Sequence, residues 1–426
     1  MKKQKYIVLV KKGTDLKKFE KFLNKNFEVD VNFKSLKRHY MITSTTEQTL
    51  RLYDDDRVQN IESADSLLKL EIQSGNTHVT DDPNHKEVNK WNLDRINKRY
   101  PFLNGDTSFR ATGKNVDIYI VDTGVDGSHP ELNGRVENLF TAFGEDYEDG
   151  HGHGTHVAGT AAGNTFGVSR DAKVYNLRVL NEKGSGGLYG IICAMEKAVE
   201  HHKNKIANRI NRPSVVNMSL GSARNSMVDN AVNDAIEEGM VVCIAAGNSN
   251  VNLDVAEVSP AEVLNGITVS ATTRQDRPLK DRLSLGRDYL AMFSNYGSQV
   301  DICAPGQDIW SCFPDNKYFR MSGTSMASPL VAGVCAAMLE GNNIFLGVKE
   351  VLNFGDKLIN NSSKDKVADE YDRMENAKAP NRMVYLERNP SVKKPWFPKC
   401  AKGLALGILF AIIFIGGTIL LSQFAT

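Results

Sequence analysis

No CxxC pair, no HExxH run and no internal repeat occurs in this chain of 426 residues. Its six cysteines (Cys193, Cys243, Cys303, Cys312, Cys335 and Cys400) are scattered, which argues against a zinc ribbon or a dense disulfide framework and fits a reducing compartment. Excess charge of one sign is also lacking. The 52 Lys and Arg against 51 Asp and Glu leave a formal net charge of +1, so nothing in the balance points to a nucleic-acid partner. The amino terminus carries an apolar run over residues 6–10 alone, too short for the core of a secretory signal. A long uncharged apolar run is missing until residues 403–421, GLALGILFAIIFIGGTILL.

What is present divides the chain. Residues 1–72 read as a small α+β unit: strand YIVLV, a helix in DLKKFEKFL with Leu16, Phe19, Phe22 and Leu23 at helical spacing, strand HYMITS, and a helix in TEQTLRLYDDD. Residues 73–90 are polar and unpatterned, a linker and a candidate cleavage zone. From residue 91 to 345, near-continuous apolar runs (VDIYIVD, AKVYNLRVL, SVVNMSL, GMVVCIAAG) alternate with helical stretches such as GLYGIICAMEKAVEHH and NSMVDNAVNDAIEEG. Strands buried on both faces read this way, so the expected fold class is α/β, a mainly parallel sheet flanked by helices. Residues 346–402 read as a polar, loosely ordered connection. At 1.5 Å per residue, 403–421 is long enough as a helix to span a bilayer once, about 28 Å. Lys393, Lys394, Lys399 and Lys402 precede it, which predicts a single-pass anchor with residues 1–402 facing the cytosol.

Open parallel sheets put their chemistry at the carboxyl ends of strands. Asp122 closes VDIYIVD in a DTG sequence. An aspartic protease would need two such carboxylates, and this chain has one DTG, so that reading requires a homodimer. HGHGTHVAG offers His151, His153 and His156. They could ligate a metal, although no cysteine or HExxH completes a site. Alternatively His156, at the start of a small-residue helix, is a general base whose tautomer Asp122 fixes. In SGTSMASPLVAG, Ser325 falls where a helix amino end favours developing negative charge, with Ser322 in the loop before it and Ser328 a turn into the helix. Asn248 ends GMVVCIAAGN and could donate to an oxyanion.

DTG, HGHGTHVAG, NMSLG, AAGN and SGTSMASP, in this order, resemble the motifs of the subtilases, the subtilisin-like serine proteases, closest to the proteinase K-like branch. The likeness runs from about residue 91 to 341. The amino-terminal unit resembles the subtilase propeptide, an inhibitor domain that ends near NIESAD. The resemblance implies Asp122 as orienting acid, His156 as base, Ser325 as nucleophile and Asn248 as oxyanion donor. It also implies an extended protein or peptide substrate beside Gly184, Ser185, Gly186 and Gly187, beside Ser219, Leu220 and Gly221, and near Ala245, Ala246 and Gly247. No cofactor is required on this reading. Asp301 matches a calcium-ligating aspartate of some relatives, so calcium is a candidate structural ion. The expected partners are substrates, the chain's own propeptide and a lipid membrane. The expected function is a self-processing serine endopeptidase zymogen, against an alternative of a catalytically inactive, membrane-anchored binding module.

Overall fold

The computed structural model describes residues 3–69, 78–85, 88–101, 103–132, 134–274, 288–369 and 371–389. The first lobe comprises β1 (Gln4–Val10), α1 (Leu16–Asn26), β2 (Glu28–Asn32), β3 (His39–Ser44), α2 (Thr46–Tyr53) and β4 (Val58–Ser63). Its antiparallel sheet has the order β2-β3-β1-β4. Asp15 caps α1, and Thr45 with Gln48 forms a capping box on α2, so both helices start where a side chain satisfies free backbone N–H groups. The apolar run of β1 serves two faces. Val8 and Val10 pack with Phe19, Leu23 and Leu52 of the lobe's own helices. Ile7 and Leu9, pointing the other way, join the main core together with Phe33, Leu36 and Met41. A strand apolar on both faces needs a second partner, and the body of the molecule supplies it.

Two short strands, β5 (Leu67–Lys69) and β6 (Val79–Thr80), and α3 (Trp91–Ile96) lead into that body. There follow β7 (Asp117–Asp122), β8 (Val136–Thr141), α4 (His153–Ala162), β9 (Lys173–Arg178), β10 (Ser185–Gly187), α5 (Leu188–Ala207), β11 (Ser214–Met218) and β12 (Ser222–Ala223). Next come α6 (Ser226–Glu237), β13 (Val241–Ala245), β14 (Val258–Ser259), β15 (Ile267–Thr273), β16 (Asp288–Leu290), β17 (Ile302–Pro305), β18 (Ile309–Phe313), β19 (Lys317–Met321) and α7 (Thr324–Leu339). The chain then forms α8 (Val348–Asn361), β20 (Ser363–Lys364), β21 (Val367–Ala368), α9 (Arg373–Asn376) and β22 (Arg382–Met383).

The main sheet runs β20-β22-β17-β15-β13-β11-β7-β9-β8 and is parallel from β22 to β8. The strand order reverses at β7, which lies between β9 and β11, so the crevice at its carboxyl end is the expected ligand position. The expected strands and helices of residues 91–345 are all present.

Residues 346–389 depart from the loose connection expected of them. Val351, Phe354 and Leu358 give α8 a buried stripe, and β22 adds to β17. This segment therefore extends the core despite its polar composition. No helix among the described residues is long and apolar enough to cross a membrane, and residues 403–421 lie outside them.

Candidate active site

The register of β7 on β11 sets Val121 opposite Met218, so Asp122 and Ser219 emerge level at the same edge of the sheet. Asp122 is fully buried. Its Oδ1 accepts from the Thr123 N–H and lies 2.7 Å from His153 Nδ1. His153 is the first residue of α4 and is also buried, and its Nε2 has no hydrogen-bond partner among the described residues. The Nδ1 contact fixes that nitrogen as the donor to the carboxylate and leaves Nε2 as an acceptor.

His156, expected as the base, occupies a different environment. Its Nε2–H donates to the carbonyls of Ile309 at 3.0 Å and Phe319 at 3.1 Å. Burial pushes its pKa down to about 3. The ring is therefore neutral and ties the β18–β19 hairpin to α4, away from Asp122. The histidine beside Asp122 is His153. One contact in the fold separates them. A Cβ on Gly154 would lie 2.0 Å from the Gly124 carbonyl, so the helix meets the DTG turn at residue 154 and its neighbour faces the carboxylate. Among the described residues no group of three His, Cys, Asp or Glu could hold a metal, and His151 and His153 join no such cluster.

Asp149, which the sequence reading missed, holds this turn in place. Its carboxylate accepts from the Thr123 hydroxyl, the Gly152 N–H, and the Thr155 N–H and hydroxyl, at 2.6–2.8 Å. Thr123 in turn accepts from the Gly154 N–H. Buried carboxylates that receive several donors order the loops they sit in.

Ser325 stands in the first turn of α7, as its second residue, one after Thr324 and two after the Gly323 cap. Gly323 has φ +158°, and a Cβ there would lie 3.4 Å from Asn248 Nδ2 and 3.6 Å from the Ser325 nitrogen. Both N–H groups thus border the space that glycine leaves open. Asn248 is oriented by Thr324, whose N–H and hydroxyl donate to its Oδ1 at 2.8 and 2.9 Å. The Ser325 hydroxyl donates to the Ser219 carbonyl at 3.3 Å, and the Ser219 hydroxyl donates to the Ser325 carbonyl at 3.0 Å. The other serines of the motif are structural: Ser322 Oγ accepts from the Asp308 N–H, and Ser328 donates to Asn217.

A cavity of about 100 Å³ opens beside Ser325. Ser219, Leu220, Gly221, Ala245, Gly247 and Asn248 line it, together with Val258, and no charged side chain does. Ala246, expected at this site, is absent from the lining; it is fully buried, its N–H donating to Val269 and its carbonyl accepting from Asn295. Ser185, Gly186 and Gly187 form β10, which pairs antiparallel with the chain's own Lys69, Leu68 and Leu67. Gly184 precedes that strand and donates to Asn181. Asp301 accepts from the Thr268 N–H, and burial raises its pKa to about 7. Among the described residues Asp301 joins no group of three His, Cys, Asp or Glu that could hold a metal ion. The described cysteines are free thiols.

Residues 113–377 match the model of the subtilase family. An extracellular serine proteinase of Thermus sp. (strain Rt41A) is 36% identical over 316 residues, 73% of this chain and 68% of that protein. Proteinase R of Parengyodontium album is 33% identical over 343 residues, 79% of each. The crystal structure of a cold adapted subtilisin-like serine proteinase matches with a TM-score of 0.59 at 35% identity, over 70% of this chain and 98% of that one. The chain belongs to the subtilase family and is a subtilisin-like serine proteinase.

Proposed function

We propose that this chain is a serine endopeptidase, made as a zymogen, in which Asp122, His153 and Ser325 form the catalytic triad. The observation that carries this reading is the buried 2.7 Å contact between Asp122 and His153 at the edge of the sheet that also presents Ser219 to Ser325. Ser325 Oγ attacks the scissile carbonyl carbon while His153 Nε2 takes its proton, and Asp122 stabilises the imidazolium through Nδ1–H. The carbonyl oxygen becomes an oxyanion between Asn248 Nδ2 and the Ser325 N–H. His153 then passes its proton to the leaving amine, which departs and leaves an acyl-enzyme. Water repeats the sequence on the ester and restores Ser325. The uncharged cavity beside Val258 favours apolar P1 side chains.

The amino-terminal lobe is the inhibitor on this reading. The β5 strand that continues from it lies on β10, where the substrate backbone would pair, and Ser66 and Ala64 accept from the first N–H groups of α5. Self-cleavage between β5 and α3 would release it. Ser325→Ala tests both parts together: peptide hydrolysis should fall by about 10⁶-fold, the scale for removing a triad nucleophile, and the precursor should persist uncleaved. A normally processed mutant would contradict the reading.

The hydropathy of residues 403–421 and the lysines before it support a single-pass anchor with the protease on the cytosolic side. Asn360 and Asn361 begin overlapping glycosylation sequons, and Asn360 is exposed. Glycans on either residue of native protein would reverse the topology.

A further inference from the structure

The hairpin of β18 and β19 leads straight into Ser322, Gly323 and the helix that carries Ser325. One edge of β19 pairs with β18. The other edge holds the chain's own residues from within the candidate cleavage zone: Phe319 faces Val79, Tyr318 faces Thr80, and the Arg320 N–H donates to the His78 carbonyl at 3.2 Å. The Phe319 carbonyl turns inward to His156. Backbone alternation therefore turns the polar groups of Tyr318 and Arg320 outward.

Three features suit this edge to a polypeptide leaving the cleft. β5 lies antiparallel on β10 and, later in the chain, β6 lies antiparallel on β19, the sense in which a substrate continuing past Ser325 would pair with the two edges. The Phe319 ring stacks on Phe313 with centroids 4.8 Å apart, and Phe313 lies against Gly152, directly before His153. This makes an apolar wall from the histidine to the position opposite Val79. The occupant is also held lightly: β6 has two residues, and Val79 is 54% exposed. A short, shallow strand on an open edge is readily exchanged for another.

We propose that the outer edge of β19 is a docking edge for the leaving-group side of polypeptide substrates. It takes an extended chain with an apolar residue against Phe319, and His78, Val79 and Thr80 are its resident occupant. The assignment to substrate rests on the peptidase reading above; the edge itself does not.

The test uses the full chain carrying Thr80→Pro. The alternation makes the Thr80 N–H a donor to Tyr318, and proline removes it. Amide hydrogen exchange at Tyr318 and Arg320 should quicken in this variant and slow at least about tenfold when a synthetic peptide of residues 76–82 is added. The same peptide with Asp in place of Val79 should not protect. Val79→Asp in the chain serves as an independent second variant and should behave as Thr80→Pro does. Absence of protection in both variants overturns the proposal. On processed enzyme, two peptides identical from P4 to P2′ are compared, one extended by six residues with an apolar side chain among them. The Thr80→Pro enzyme should favour the long peptide by about tenfold or more in kcat/KM, and adding Arg320→Pro should abolish that preference, since proline is tolerated where a strand N–H faces outward. Equal ratios in the two enzymes overturn the proposal. Protected amides with no cleavage of either peptide would leave the docking edge standing and defeat the peptidase reading instead.

Discussion

Two seams of the molecule are built on opposite principles. Between the amino-terminal lobe and the helices α5 and α6, charges meet across the boundary: Arg38 with Asp234 at 2.7 Å, Lys12 with Glu237 at 2.7 Å, and Lys37 with Glu238. Glu196 accepts from the Ser35 and Leu36 N–H groups at 2.9–3.0 Å. Between α4 and α7 no charge intervenes. A Cβ on Gly333 would lie 2.6 Å from the Ala161 carbonyl, and nearly every residue of α7 is buried. Charged seams respond to salt and pH and come apart as units, whereas backbone against backbone leaves nothing to titrate. The difference fits a lobe that departs and a nucleophile helix that stays.

The comparison sharpens first at the rigid seam. Asn248→Ala removes one of the two donors bordering Gly323 and should lower kcat by about 10²–10³-fold with little change in KM, the scale for one oxyanion donor. A kcat within twofold of the parent would remove Asn248 from the oxyanion site. At the charged seam, Glu196→Ala leaves two backbone N–H groups without their carboxylate. Inhibition by the lobe should weaken about 10- to 100-fold, the scale of losing charge-assisted hydrogen bonds. An unchanged inhibition constant would show that the apolar face of β1 carries the docking alone. Raising the salt should weaken inhibition by the parent lobe more than by a Lys12→Ala lobe, which lacks the exposed pair with Glu237.

The smallest effect concerns pH. The unfolded chain protonates His156 near 6.5 and the native protein near 3, so the unfolded state binds more protons between these values. The contribution is intact above pH 6.5 and declines as pH falls toward 3. His156→Gln, which can still donate to the two carbonyls, should flatten the fall of Tm with acid across this window. An identical slope in both proteins would mean that other buried groups, such as His202 with its pKa near 4, dominate.

Much of this was legible in the sequence, and the failures have physical causes. The strands of the main sheet announced themselves because a strand covered on both faces must be apolar throughout. Asp122, Ser325 and Asn248 were legible because strand ends and helix starts are marked by glycine and small residues. His153 and His156 were not separable by periodicity, since residues three apart share a helix face. The choice depended on the Gly124 carbonyl and on the hairpin carbonyls of Ile309 and Phe319, all distant in sequence. Asp149 was hidden for a different reason: backbone N–H groups and two threonine hydroxyls donate to it, and such partners leave no charge or spacing signature in a sequence. Residues 346–389 misled because β20, β21 and β22 are two residues each, too short to show alternation, and because the buried stripe of α8 is diluted by Lys349, Glu350, Asp356 and Lys357.

The identity of the base is the point on which the account turns, and the reactivity of Ser325 toward a fluorophosphonate probe measures it directly. With the lobe removed, the parent and His156→Gln should label at rates within a few fold of each other, while His153→Ala should label at least about 10³-fold more slowly, because the serine loses its proton acceptor. Rapid labelling of His153→Ala together with loss of labelling in a folded His156→Gln would contradict the account and return the role of base to His156.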